Sequence, residues 1–312
     1  MKRKKAKWII LAEYWAFLLL YKVVHAVPFR IALKINAVLF RLLYAMGGKT
    51  RQRTLSHLKH AGVAKTDEEA VILAKKCYQE FGKLVAEIVK MDQLYDPAKI
   101  SVSGDPETIR RFISPDGVSP AETHGIIVTA HYGNWEVAGT AVAHKTRHNM
   151  LSIMRPFSNP LIGEKILEHR RSDVHELVDR NATAVRRLLR ALTQENRHAS
   201  VLIDQHAAHN EGVDTVFFGQ PCKTHRTPAM LHLKTGIPIV PELTRRVGDD
   251  FSFELVVGPM IEYKPTGDKE HDIQVISQMC TTALEKMIAE QPEQWLWPHR
   301  RWTNINRKSC RK

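Results

Sequence analysis

The alternation of apolar and polar positions divides the chain into recognisable elements. Near the N-terminus, residues 8–27 are mostly apolar or aromatic, interrupted by Glu13, Lys22 and His25. Residues 28–44 are apolar at helical spacing, with Arg30, Lys34 and Arg41 between, and Gly47-Gly48 closes that run. A basic helical segment over 51–61 follows. Thr66-Asp67-Glu68-Glu69 then has the form of a capping box, in which a hydroxyl and a carboxylate three residues on satisfy each other's backbone amides. Behind it, Ala70, Leu73, Ala74, Cys77, Tyr78, Phe81, Leu84, Val85 and Ile88 recur at the spacing of one helix face, which predicts a core helix. Short runs rich in β-branched and other apolar residues predict strands near 100, 126, 150, 200, 215, 238 and 252, and Phe251 to Val257 alternates like an antiparallel or edge strand. Helices are predicted over 106–113, 136–143, 161–171, from an Asn181 cap to 193, within 224–234, and over 268–290. Strands interleaved with helices specify an α/β fold, a mostly parallel central sheet flanked by helices.

Composition sharpens this outline. With 312 residues and 44% hydrophobic content the chain can bury a substantial core, and no linker splits it. The formal charge of +13 calls for an acidic partner: lipid head groups, a phosphorylated substrate, an acidic carrier protein or nucleic acid. Cys77, Cys222, Cys280 and Cys310 lie far apart and form no CxxC pair, so neither a zinc knuckle nor a disulfide framework is indicated, and reduced thiols fit best. A bilayer span needs about 20 apolar residues. The interrupted segment 8–27, behind Lys2, Arg3, Lys4, Lys5 and Lys7, is best read as an uncleaved anchor or interfacial helix that holds the N-terminus cytoplasmic. A cleaved signal ending near Ala26 and a plain core helix compete with that reading. Residues 28–44 fit either a basic helix lying on a bilayer or one packed on the domain.

Candidate chemistry concentrates where the strand Ile126 to Ala130 stops. His131 stands at its end, Gly133 and Asn134 supply a turn and a helix cap, and Glu136 falls in the first helical turn. Residues five apart within a helix point about 140° apart, so His131 and Glu136 pair only across the turn. A carboxylate on one imidazole nitrogen would fix the tautomer and leave the other as a general base for a hydroxyl. The competing reading is a strand-end histidine and a glutamate favoured by the helix dipole. The strand over 199–203 ends in Asp204-Gln205, the same kind of position. Arg155, at the end of the strand near 150, is suited to a phosphate or a developing oxyanion. His206-Ala207-Ala208-His209 raises a metal site, and a membrane-bound metal hydrolase built on His131, Asp204, His206 and His209 is one alternative. A basic membrane or nucleic-acid binding module is another, favoured by Trp295, Trp297 and Trp302 among His299, Arg300 and Arg301, although a tail helix packed back on the domain suits them better.

The wording His-Tyr-Gly-Asn-Trp-Glu over 131–136 resembles the His-x4-(Asp/Glu) signature of glycerolipid acyltransferases, and in this form that of the late lipid A acyltransferases. Further blocks agree in order: Met154-Arg155-Pro156 with Asn159, Asp204-Gln205, Phe217 to Pro221 with Thr224, Gly236 to Pro241 with Arg245 and Arg246, and Pro292 to Trp302. The segment Gln194 to His198, which lacks a glycine, and the stretch His206 to His209 depart from the usual family wording. The resemblance implies a glycerolipid acyltransferase-like fold, an uncleaved membrane anchor over 1–27 and an acyltransferase domain over 28–312 at the cytoplasmic face of the inner membrane. It implies transfer of an acyl group from a thioester, usually on acyl carrier protein, to a hydroxyl of a lipid A precursor or related glycolipid. His131 and Glu136 would be catalytic, and Arg155, Asn159, Arg170, Asp204 and Arg245 would contact substrate. No cofactor, metal or nucleic acid enters.

Overall fold

The computed structural model describes residues 6–170, 172–208 and 211–303, without the side chains of 169 and 170. The helices are α1 (Lys7–Ala26), α2 (Phe29–Ala45), α3 (Lys49–His60), α4 (Asp67–Leu94), α5 (Pro106–Phe112), α6 (Trp135–Thr146), α7 (Pro160–Arg170), α8 (Ala184–Gln194), α9 (Thr227–Thr235) and α10 (Lys269–Glu290). The strands are β1 (Ile100–Gly104), β2 (Ile126–Thr129), β3 (Met150–Met154), β4 (His175–Asp179), β5 (His198–Leu202), β6 (Gly212–Phe217), β7 (Gln220–His225), β8 (Ile239–Arg246) and β9 (Phe253–Val257).

Seven strands form one sheet in the order β1-β9-β8-β2-β5-β3-β4, and β6 and β7 form a separate hairpin. Strands β8, β2, β5, β3 and β4 are mutually parallel; β9 runs antiparallel to β8, and β1 runs parallel to β9. The sheet is therefore mostly parallel, with helices packed around it. β2 is wholly buried, which is why its run is continuously apolar up to Thr129. The β2/β5 register sets Thr129 beside Leu202, so the residues two steps further on, His131 and Asp204, emerge together at the carboxyl rim.

Two strands escape a reading of hydrophobic pattern. β4 carries polar residues at His175, Glu176 and Asp179 because it is the sheet's edge. β7 reads as a loop because Gln220, Pro221, Lys223, Thr224 and His225 dominate it, yet it pairs along its length with β6. Phe218 and Gly219, at φ 49° and 67°, make the tight turn between them, the positive-φ geometry of a two-residue hairpin loop. β9 is antiparallel but interior, covered by β1 on its far side. The tryptophan-rich tail packs back on the domain as one 3-10 turn, Pro292–Gln294, and irregular chain, not as a helix; Trp295, Trp297 and Trp302 are buried.

The capping box at Thr66 forms as read: Glu69 N donates to Thr66 Oγ1 at 3.1 Å, and Glu69 Oε2 accepts from Thr66 N at 3.3 Å. α4 then runs beneath α2, which buries Ala32, Leu33, Asn36 and Tyr44 and leaves Ile35, Val38 and Leu42 exposed. α1 meets the length and apolarity needed to cross a bilayer, and its Trp8, Trp15 and Leu19 are 71%, 67% and 69% exposed. The basic stretch before Ala6 lies outside the described residues.

One buried ion cluster ties α4 to the sheet. Arg246, at the end of β8, binds Glu80 and Glu87 of α4, and Glu87 Oε2 also accepts from Asn134 Nδ2 at 3.0 Å. Removing one member of such a buried set leaves charge uncompensated. Glu87→Ala is expected to lower stability by about 3 kcal/mol, read as a fall in the denaturant midpoint. An unchanged midpoint would show that Glu80 alone suffices for Arg246.

Candidate active site

The turn after β2 is built by three constraints. Gly133 takes φ +52°, and a Cβ there would lie 2.1 Å from Thr244 O, so no other residue fits without displacing β8. Asn134 caps α6, its Oδ1 accepting from Glu136 N and Val137 N at 3.1 Å each. The tail segment closes the turn from the other side: Gly133 N donates to Gln294 O at 3.0 Å and Leu296 N to His131 O at 2.9 Å. Neighbouring strand and C-terminal tail thus both fix the backbone that presents His131.

His131 Nδ1 lies 2.9 Å from Asp204 Oδ1. The same carboxylate's Oδ2 accepts from His131 N at 2.9 Å and from Trp295 Nε1 at 2.9 Å. Asp204 is buried. Burial opposes its ionisation, but the His131 charge and the His131 and Trp295 donors hold its pKa well below the usual carboxylate range. Burial likewise disfavours charge on His131, yet the Asp204 carboxylate outweighs it, and Glu136 adds to the effect, so the imidazole pKa is raised above the ordinary 6.5. Asp204 thus holds the Nδ1 proton and leaves the Nε2 lone pair, toward which Gln205 Nε2 donates at 3.3 Å. His299 Nε2 donates to Asp204 O at 3.0 Å, and burial pushes the His299 pKa down to about 4, which keeps that ring neutral. Arg301, also buried, donates to Ile203 O, Gln205 O and Thr224 Oγ1 and locks the chain on both sides of Asp204.

His131 opens onto a cavity of about 670 Å³ between the sheet and α6. Ile127, Ala138, Val142, Met150, Leu177 and Leu202 give it apolar walls, and Arg155, Arg180 and His225 also line it. Gly139 of α6 faces His175 of β4, and a Cβ there would lie 2.1 Å from the ring, so only glycine lets the helix sit this close.

The residues expected at the site divide into two sets. His131, Glu136, Arg155 and Asp204 come together: the first three line the cavity, and Asp204 lies behind His131. Glu136 accepts from Trp135 Nε1 at 2.8 Å and reaches His131 through its charge, while the hydrogen bond at Nδ1 belongs to Asp204. Asn159 is buried away from the cavity walls, and its Nδ2 donates to Ile10 O at 2.9 Å and Glu13 Oε2 at 3.0 Å, tying the β3–α7 loop to α1. Arg245 also lies off the cavity, because successive side chains of β8 alternate: Glu242 takes the cavity side, whereas Arg245 pairs with Glu290 of α10 at 2.6 Å and Glu254 at 3.5 Å. Arg170 ends α7, its side chain outside those described, and Arg171 and His209 lie outside the described residues. Among the described residues no three His, Cys, Asp or Glu side chains are placed to hold a metal ion. Glu242 is not among the expected site residues, its signal being a carboxylate that interrupts the apolar run Ile237 to Leu243, and Trp295 and His299, expected only as part of an aromatic and basic tail, stand instead against Asp204.

Fold and site define an α/β enzyme with a buried-acid-supported imidazole at the carboxyl rim of a parallel sheet. The chain belongs to the bacterial lipid A biosynthesis acyltransferase family, whose sequence profile matches residues 1–304. It is an acyltransferase acting on a lipid or glycolipid. No curated protein matches it. Among solved structures it is similar to the 1-acyl-sn-glycerophosphate acyltransferase PlsC of Thermotoga maritima, at 12% identity over 87% of this chain and 99% of that one, with a TM-score of 0.33.

If His131 acts as a general base it must be unprotonated to do so, and the rate should then rise with pH through its raised pKa. Asp204→Asn removes the charge that raises it and leaves the opposing burial, so the acidic limb of the kcat profile should move to lower pH. Loss of the correct tautomer should also lower kcat by about 10²–10⁴-fold. A variant whose limb stays in place would exclude Asp204 as the group that sets His131.

Proposed function

We propose that this protein transfers a fatty acyl group from the thioester of acyl carrier protein to a hydroxyl of a lipid A precursor, with His131 as general base. The observation that carries this reading is the Asp204-held imidazole at the wall of a largely apolar cavity. His131 Nε2 takes the proton of the acceptor hydroxyl as its oxygen attacks the thioester carbonyl. The C–O bond forms, the C–S bond breaks, and the leaving thiolate recovers that proton from the imidazolium. Backbone amides or Arg155 stabilise the oxyanion. Asp204 orients the ring, and Glu136 supplies a second negative charge that favours the imidazolium formed during transfer. No enzyme nucleophile is needed, so donor and acceptor occupy the site together.

Charge and location support the remaining parts. A net charge of +13 suits an acidic carrier protein. Arg155 and Arg180, at the cavity wall, suit the phosphates of a glycolipid head group. We assign residues 1–27 to an uncleaved anchor in the inner membrane and 28–312 to a catalytic domain on its cytoplasmic face. The exposed apolar faces of α1 and α2 are consistent with contact to lipid.

His131→Ala should reduce acyl transfer by at least about 10³-fold with an unaltered thermal transition. Mass spectrometry of membrane lipids should show loss of one secondary acyl chain in cells carrying that variant. An unchanged lipid profile from a folded His131→Ala protein would refute the assignment.

A further inference from the structure

The sheet face beneath α6 lines the cavity with hydrogen-bonding groups and not with apolar side chains alone. Side chains alternate along a strand, and registered neighbours in a parallel sheet share a face. Thr129, Ser200, Ser152 and Glu242 all line the cavity from this face, on four different strands. Ser152 Oγ lies 2.8 Å from His175 Nε2, and Glu242 Oε1 accepts from Thr244 Oγ1 at 2.6 Å. Ser200 Oγ makes no side-chain hydrogen bond among the described residues. These groups form a polar stripe across a sheet face whose neighbouring cavity-lining residues, Ile127, Met150 and Leu202, are apolar.

We propose that this stripe recognises a hydroxyl on the acyl chain, so that the preferred donor is a hydroxyacyl thioester. The proposal rests on the cavity being the acyl site of a His131-dependent transfer. Glu242 is its central element. Burial pushes its pKa up to about 7, and hydrogen bonds from Thr244 and Thr129 only partly oppose this. A carboxyl poised there is protonated in a substantial fraction of molecules near neutral pH and both donates to and accepts from an alcohol. An alkyl chain in the same place would offer it nothing, and apolar residues would line that wall better. Thr129, the last residue of β2, precedes His131 by two, and β8 brings Glu242 alongside it, so this layer lies roughly 7 Å of chain below the catalytic ring. The recognised hydroxyl therefore belongs near the carbonyl end of the chain, and the serines form the next layer down.

The test compares 3-hydroxydodecanoyl and dodecanoyl donors, each as carrier-protein and coenzyme A thioesters, with the full chain in detergent. The wild type should favour the hydroxyacyl donor by about tenfold or more in kcat/KM, since a site built around a hydroxyl discriminates against its absence. Glu242→Leu should bring the ratio near one, Glu242→Gln should keep most of the preference, and Ser200→Ala should lower it. Equal kcat/KM for the two chains in the wild type, or a preference that survives Glu242→Leu, overturns the proposal. If Glu242→Leu does not fold, an unchanged ratio in Ser200→Ala overturns it. Failure of folded wild type to use any of the four thioesters would instead refute the thioester chemistry on which the proposal stands.

Discussion

A buried carboxylate that must stay ionised constrains this molecule more than any other feature. Asp204 is removed from water, and a bare charge there would be prohibitively costly, so the surrounding structure supplies donors to both oxygens. Two of the three come from His131, backbone and ring together. One carboxylate therefore positions both the turn and the imidazole it presents. The third comes from Trp295 in the tail, close to where the family match ends. Neither the sheet nor the tail alone completes the acid's shell, so the site exists only once the C-terminal segment has folded back.

The rest of the architecture can be read as support for that arrangement. The β2/β5 adjacency brings residues 73 positions apart into contact. Arg301 occupies the carbonyls on either side of Asp204, His299 occupies Asp204's own, and together they hold β5's exit in place. On the opposite side, Glu87 reaches Asn134, the residue that caps α6, so the ion cluster beneath α4 sets where the helix facing the cavity begins. Two buried acids thus bracket the turn Ala130 to Asn134, one acting on His131 and one on the helix cap. Gly133 lets the chain make the passage between them at the close approach to β8.

Much of this was legible in the residue order, and the gaps have physical causes. The wholly buried strands and the long amphipathic helices declare themselves because burial on both faces, or on one stripe, demands apolar residues at fixed periods. β4 and β7 do not, since an edge strand and a hairpin packed on one side need few apolar positions. His131 and Asp204 stand out as polar residues that terminate apolar strands. Their partnership does not, because it depends on strand order, and nothing in the spacing says that β5 lies next to β2. Glu136, near in sequence, was the natural partner to expect; the sheet offers a nearer hydrogen bond from Asp204 and leaves Glu136 to act by charge. Arg245 and Asn159 show the converse, where the phase of β8 and the packing of α1 turn them from the cavity.

That packing of α1 has its own consequence for the site. Asn159 ends the loop that begins at Arg155, and both its donors are taken by α1, at Ile10 O and at Glu13, a carboxylate in an otherwise apolar helix. A charge placed there would be unfavourable on a helix wholly surrounded by lipid, but it is tolerable where one side of the helix rests on protein that can answer it. The side of α1 carrying Trp8, Trp15 and Leu19 remains exposed, so the helix has one protein-facing and one apolar outward face. The inward face is bonded to the loop whose first residue, Arg155, lines the cavity, so the position of α1 and the shape of the cavity rim are coupled. Glu13 and His25, two of the interruptions in the apolar N-terminal segment, are thus among the residues that join α1 to the rest of the protein, Glu13 through Asn159 and His25 through Lys90 and Asp92.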